Sequence, residues 1–231
     1  TIVYVIDISG STGGLFGGPA IGDWNGDNLP NRIMDGEIAG FIALNNQLVN
    51  QFGSNATIAI VPFDDVAVAS DVNPVLPGVQ LATGAHIDAD GNGVRDVEEV
   101  LRTLRSSGGT DFDEALLETV NVLQALNGDP ATTNVIFISD GQSFVSAATV
   151  AAVRALAANV RAFGAGSGAS LTWLQVIDPN AQIFLTTDQL LTTFGSEGVI
   201  VGGTQVTAEG RTGAAGEIGD DVNDKTGRNS V

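Results

Sequence analysis

The chain has 231 residues, with 27 Asp and Glu against 9 Lys and Arg, so its formal charge is −18. Hydrophobic residues make up 43% of it, enough for the core of one large domain, which argues against global disorder despite the charge. With no Cys and one His, disulfide scaffolds, thiolate metal sites, cysteine nucleophiles and His-rich zinc centres drop out.

A field this negative also argues against nucleic-acid binding and against anionic membrane surfaces, both of which need clustered Lys and Arg. Lys225 is the only lysine and follows no glycine-rich phosphate loop, so a Walker-type nucleotide site is excluded. No apolar run approaches the roughly 20 residues of a membrane span. The chain opens at Thr1 straight into an apolar run, with neither Met nor signal peptide, and reads as a module of a longer protein. Its acidity has two candidate origins: a solvated, salt-adapted surface, or carboxylates gathered around hard cations.

Ile2–Ile6 is an apolar run ending at Asp7 and predicts a buried strand. Residues 10–36, rich in Gly, Asp and Asn and holding Pro19 and Pro30, predict a long loop. From Asp35 to Phe52, apolar residues at three-to-four spacing predict an amphipathic helix stopped by Gly53. Thr57–Phe63 predicts a strand; Val66–Ala69 and Gly78–Ala82 are weaker candidates. Helices are expected over Asp96–Leu104 and Ala115–Leu126, a strand over Asn134–Ser139, and an Ala-rich helix over Ala147–Val160. A strand over Arg161–Ala165, a helix over Leu171–Ile177, a strand over Gln182–Thr186 and a helix over Asp188–Phe194 complete the series. Strands alternating with helices imply an α/β fold: a doubly wound, mostly parallel central sheet flanked by helices on both faces. One domain is expected over 1–194, with insertions at 12–34 and 84–99. A C-terminal extension over 195–231 is read as one strand, Val199–Val206, and then a linker or tail.

In such sheets ligands sit beyond the carboxyl ends of the strands. Two strands end there in acids. Asp7, Ser9 and Ser11 follow the first strand at alternate positions, and Asp140-Gly141 follows a later one. Gly108-Gly109-Thr110 precedes a helix and offers a further hydroxyl. These are hard oxygen donors, suited to magnesium or calcium and not to zinc.

Asp7-x-Ser9-x-Ser11, Gly108-Gly109-Thr110 leading Ala115-Leu116, and Asp140-Gly141 together resemble the metal-ion-dependent adhesion site of von Willebrand factor type A domains, the integrin inserted domains among them. The resemblance covers about residues 1–194. It implies that Ser9 and Ser11 bind the ion directly, and that Asp7 and Asp140 bind it directly or through water. Thr110 would join in the ligand-engaged state, and an open position would take a carboxylate from a partner protein or surface.

Two insertions depart from that family's pattern. Asp88-Ala89-Asp90-Gly91-Asn92-Gly93-Val94-Arg95-Asp96-Val97-Glu98-Glu99 matches a twelve-residue calcium loop. Asp88, Asp90, Asn92, the Val94 carbonyl, Asp96 and Glu99 take the ligand positions, but no helix precedes it. A fixed structural calcium is therefore expected in place of a sensor. Asp23, Asn25 and Asp27, with the Leu29 carbonyl and then Asp35 and Glu37, form a less complete set. It reads either as a second calcium loop or as an ordinary polar loop, because Asn28 stands where a glycine is expected.

Calcium loops, absent Cys and an acidic tail look like a domain of a large bacterial surface adhesin of the RTX type. The expectation is an extracellular, cell-surface binding module, monomeric within its parent chain and not an enzyme. The competing expectations are a calcium-stiffened spacer and a metal-assisted hydrolase. Against the last, His86 has no Ser partner that the sequence can place. The Gly164–Gly168 run does not fit a dinucleotide fingerprint either.

Overall fold

A computed structural model describes residues 1–196, 199 and 200. Six strands form one sheet: β1 (Ile2–Asp7), β2 (Thr57–Phe63), β3 (Thr83–Gly84), β4 (Asn134–Ser139), β5 (Asn159–Ala165) and β6 (Gln182–Phe184). Their order across the sheet is β3-β2-β1-β4-β5-β6, with every neighbour parallel except β3, which pairs antiparallel with β2. The helices are α1 (Ile33–Phe52), α2 (Asp96–Thr103), α3 (Phe112–Leu126), α4 (Ala147–Leu156), α5 (Leu171–Ile177) and α6 (Thr187–Phe194).

The central strand β1 is buried along its whole length, and its side chains alternate between two cores. Ile2, Tyr4 and Ile6 face a cluster with Phe41 and Leu48 of α1, Leu101 of α2 and Phe194 of α6. Val3 and Val5 face the opposite cluster, with Phe112 and Leu116 of α3, Val153 of α4 and Leu174 of α5. Each core is anchored by aromatic contacts: Tyr4 stacks on Phe41 with centroids 4.5 Å apart, and Phe112 meets Phe137 edge-on at 4.9 Å. Sheet order reverses direction between β1 and β4, and the crevice beyond their carboxyl ends is where a doubly wound sheet places ligands.

Several elements differ from their sequence expectation. Val66–Ala69 makes only an isolated bridge, Phe63 to Ala67, and Gly78–Ala82 forms no strand. Instead Asp71 accepts from the backbone N–H groups of Asn73 and Gln80, closing this segment as a turn. The Ala-rich helix stops at Leu156 and not at Val160, because Asn159 and Val160 pair with Asn134 and Val135 of β4. A ladder position outweighs helix propensity there. Helix α3 starts three residues early, because Asp111 caps it by accepting from the N–H groups of Asp113 and Glu114.

The 12–34 segment is tied down at both ends. Leu15 bridges to Arg32, Gly17 bridges to Thr186, and Thr187 Oγ1 donates to the Pro19 carbonyl. Phe16 is buried against Gly36 of α1, where a Cβ would collide with its ring. Val199 is buried in the first core, and its carbonyl accepts from Asn159 Nδ2. The rest of the expected strand 199–206, and the tail after it, lie outside the described residues. Among the described residues, no helix is long and apolar enough to cross a membrane.

Candidate metal centre

Parallel pairing of β1 with β4 brings Asp7 and Asp140 to the same end of the sheet. Beyond Asp7 the chain turns through a short 3-10 segment, Gly10–Gly13. The turn is held by Thr12 Oγ1 donating to the Ser9 carbonyl at 2.8 Å. Ser9 and Ser11 thereby point the same way, with their hydroxyl oxygens 3.0 Å apart, and Ser11 Oγ donates to Asp140 Oδ1 at 2.7 Å. The Ser9 N–H donates to Asp7 Oδ1 at 2.8 Å. Thr110 stands beside them: a Cβ on Gly141 would lie 3.3 Å from its Oγ1. The five residues singled out at the strand ends are thus brought together, from three separate loops.

Both carboxylates are buried. Burial pushes the Asp7 pKa up, although hydrogen bonds from Ser139 and Ser9 partly oppose it. Asp140 is pushed up to about 6, again by burial first and by the Asp7 charge as well. Two acids in one buried crevice, surrounded by hydroxyls and with no ion pair to a basic side chain among the described residues, leave negative charge that a divalent cation would balance. The donors are hydroxyl and carboxylate oxygens, so the residues fit a hard ion such as magnesium or calcium. Among the described residues, no three His, Asp or Glu side chains group closely enough to hold a metal by themselves, so the hydroxyls are an essential part of the donor set.

Some contributors were not picked out from the sequence. Ser139, the last residue of β4, donates to Asp7 Oδ2 and accepts from the Gly141 N–H, linking the Asp7 carboxylate to the backbone just past Asp140. Its signal was available, a serine directly ahead of Asp140. Asp64 and Asp65, just past β2, hold the glycine pair. The Gly109 N–H donates to Asp65 Oδ2 at 2.8 Å, and the Asp111 N–H donates to the Asp64 carbonyl. Gly108 has φ +67°, and a Cβ on it would sit 2.7 Å from Asp64 Oδ2, so both conformation and space require glycine there.

The two inserted loops share one backbone geometry. Asp88 Oδ1 accepts from the N–H groups of Gly91 and Asn92, and its Oδ2 from Gly93. Asp23 does the same for Gly26, Asp27 and Asn28. Asn28 takes the left-handed conformation (φ 67°) that Gly93 takes in the other loop, so the missing glycine does not break the turn. The N–H groups of Leu29 and Val94 donate to the side chains of Asp27 and Asn92 in turn. Asp35 and Asp96 latch the loops: Asp35 accepts from the N–H groups of Trp24 and Arg32, and Asp96 from Ala89. The Asn92 amide donates to both Asp90 and Glu99 and so bridges them.

Glu37 departs from its expected place. It does not join Asp23 and Asp27. It is fully buried in the first turns of α1, and neither carboxylate oxygen has a hydrogen-bond partner. Its pKa is raised well above the ordinary value, first by burial and then by the charges of Asp7 and Asp140. The physical reason is helical phase: Asp35 faces the loop that enters α1, while Glu37, two residues on, faces the sheet.

No protein-family model matches the chain, and no curated protein matches it. Solved structures do. A von Willebrand factor type A protein from Catenulispora acidiphila is 17% identical with a TM-score of 0.61, over 84% of this chain and 40% of that one. Proximal thread matrix protein 1 from the mussel byssus, with a zinc-occupied MIDAS motif, is 17% identical at TM-score 0.54, over 84% and 45%. The pilus adhesin SpaC from Lactobacillus rhamnosus GG is 12% identical at TM-score 0.57, over 84% and 29%. This chain therefore spans less than half the length of each. At these identities the likeness shows the fold: a von Willebrand factor type A fold, with a mostly parallel six-stranded sheet.

Proposed function

We propose that this chain is a metal-dependent adhesion or ligand-binding module. Asp7, Ser9, Ser11, Thr110 and Asp140 would hold a divalent cation, magnesium or calcium, at the strand ends. The observation that carries this reading is the convergence of two buried carboxylates and the hydroxyls of Ser9 and Ser11 within hydrogen-bond distance of one another. Hydroxyl ligands leave a divalent ion under-neutralised, so a cation here supplies an attraction for an external carboxylate. The ligand proposed is a protein or surface bearing an exposed acidic group, which fits a chain too acidic to bind anionic partners directly.

Calcium is proposed for the loop at Asp88, Asp90, Asn92, Val94, Asp96 and Glu99, and for the loop at Asp23, Asn25, Asp27 and Leu29 latched by Asp35. Support comes from their shared turn geometry; in neither loop do three acids already stand close enough to hold an ion, so calcium would draw them together. A role as a binding module and not an enzyme, and a setting on the bacterial cell surface within a long RTX-type adhesin, belong to the same proposal. Neighbours named as a pilus adhesin and a byssus matrix protein favour an extracellular setting.

The test is binding of the full chain to immobilised acidic peptides or matrix proteins with magnesium, with EDTA, and as the Asp7→Ala variant. Binding lost under both treatments is expected. Undiminished binding would sink the reading and leave the calcium-stiffened spacer.

A further inference from the structure

The strand-end centre has one neighbour with no assigned task. Glu37 lies on α1, which packs against β1, β5 and the Gly10–Gly13 turn that carries Ser11. It is sealed from solvent, and both its oxygens lack any protein donor. Burying a carboxylate with no protein donor costs more than almost any other buried polar arrangement, unless water or an ion makes up the lost hydration. The residues around it in sequence are no help: Ile33, Met34, Gly36 and Ile38 are buried and apolar, and buried Asp35 is an acid like itself. No Arg is paired with it; the ion pairs among the described residues are Arg102 with Glu98 and Arg161 with Asp178. The charges that reach it are Asp7 and Asp140, of the same sign.

A hydrophobic residue of equal size would pack here without that cost, as Ile33 and Ile38 do one turn or less away. An acid kept in such a place, within the field of two further acids, needs a positive counterpart, and a cation at the strand ends would supply one. Glu37 does not group with Asp7 and Asp140 closely enough for all three to ligate one ion directly. Contact with that ion would therefore run through water, and bound water would supply the donors its oxygens lack.

We propose that Glu37 is a positioning residue of the strand-end metal centre: from behind the site it accepts hydrogen bonds from water on the cation and adds a third carboxylate charge to hold it. This rests on the adhesion-site reading above and assigns Glu37 to that centre, away from the 23–29 loop. Partners one layer behind a metal commonly change its affinity by about 10–100-fold.

The probe is Mn²⁺, titrated into the metal-stripped full chain by calorimetry and electron paramagnetic resonance. The strand-end component is the part lost in Asp140→Asn. Glu37→Gln, nearly isosteric, is expected to weaken that component about tenfold or more, alter its resonance spectrum, and leave the remaining components unchanged. It should also raise the metal-free melting temperature. Glu37→Met, of similar volume, gives the same readout should the amide not be tolerated. Unchanged strand-end affinity and spectrum in a folded Glu37 variant would overturn the proposal, even with a raised metal-free melting temperature; the metal centre itself would stand. If Asp140→Asn and the parent chain bind Mn²⁺ identically, the strand-end centre and the role of Glu37 fall together.

Discussion

Asp140 takes two roles in tension. With an ion bound it would be a ligand; without one it is a buried acid within the field of Asp7. Asp140→Asn should therefore raise the melting temperature of metal-stripped protein while abolishing the gain that magnesium gives, which thermal melts with and without the ion will show. Ser139 ties the Asp7 carboxylate to the Gly141 N–H, so Ser139→Ala should leave the fold intact and weaken ion binding, by loosening Asp7. Gly36 is a matter of space alone. A methyl group there meets the Phe16 ring, and Gly36→Ala should destabilise by about 1–3 kcal/mol in denaturant unfolding through overpacking. A neutral result would mean that Phe16 can leave its site at no cost.

At the scale of elements, the two inserted loops behave as pre-formed turns whose carboxylates are already oriented by backbone N–H groups. The three N–H donors from Gly91, Asn92 and Gly93 lower the pKa of Asp88, with Gly93 the largest contributor. That residue stays ionised and ready for a cation. Asp88→Ala removes the turn's organiser and the proposed first calcium ligand together. It should abolish the calcium-dependent part of the melting temperature contributed by this loop, and Asp23→Ala should do so for the other. Additive losses in the double variant are expected, since the loops are separate segments. A melting curve indifferent to calcium in the parent chain would refute both. Helix α2 follows one loop directly and helix α1 the other, so the loops brace two helices packed on the same core.

For the whole molecule, the −18 charge acquires a location. Asp7, Asp35, Glu37 and Asp140 all have their pKa raised by burial first. An acid whose folded pKa is raised binds its proton more tightly when folded, so protonation favours folding. That contribution is complete below the unfolded value near 3.8 and is lost as pH rises through the folded value, about 6 for Asp140. Metal-stripped protein should accordingly melt at lower temperature at pH 7 than at pH 5. Saturating magnesium and calcium should flatten that slope, because ion binding favours the deprotonated carboxylates. Melts across this range, with and without the ions, measure both curves.

Much of this was legible in the sequence. Apolar runs of strand length, helical spacing and the glycine breaks place all six helices, and all the strands except β3, to within a few residues, because burial of whole faces dominates their energetics. The alternate spacing of Asp7, Ser9 and Ser11 and of Asp88, Asp90 and Asn92 is local chemistry and shows without a fold. What the tertiary structure decided is everything that depends on which elements lie side by side. Pairing of β4 with β5 cut the Ala-rich helix short, since a ladder of backbone hydrogen bonds outweighs a propensity of a few tenths of a kcal/mol per residue. The same sheet brought Ser139 onto Asp7, from opposite halves of the chain. It also buried Glu37 within the packed face of α1, away from the loop it follows in sequence. One residue's rotation along α1, about 100° each, carries no signal in composition or spacing until the sheet is there to be faced.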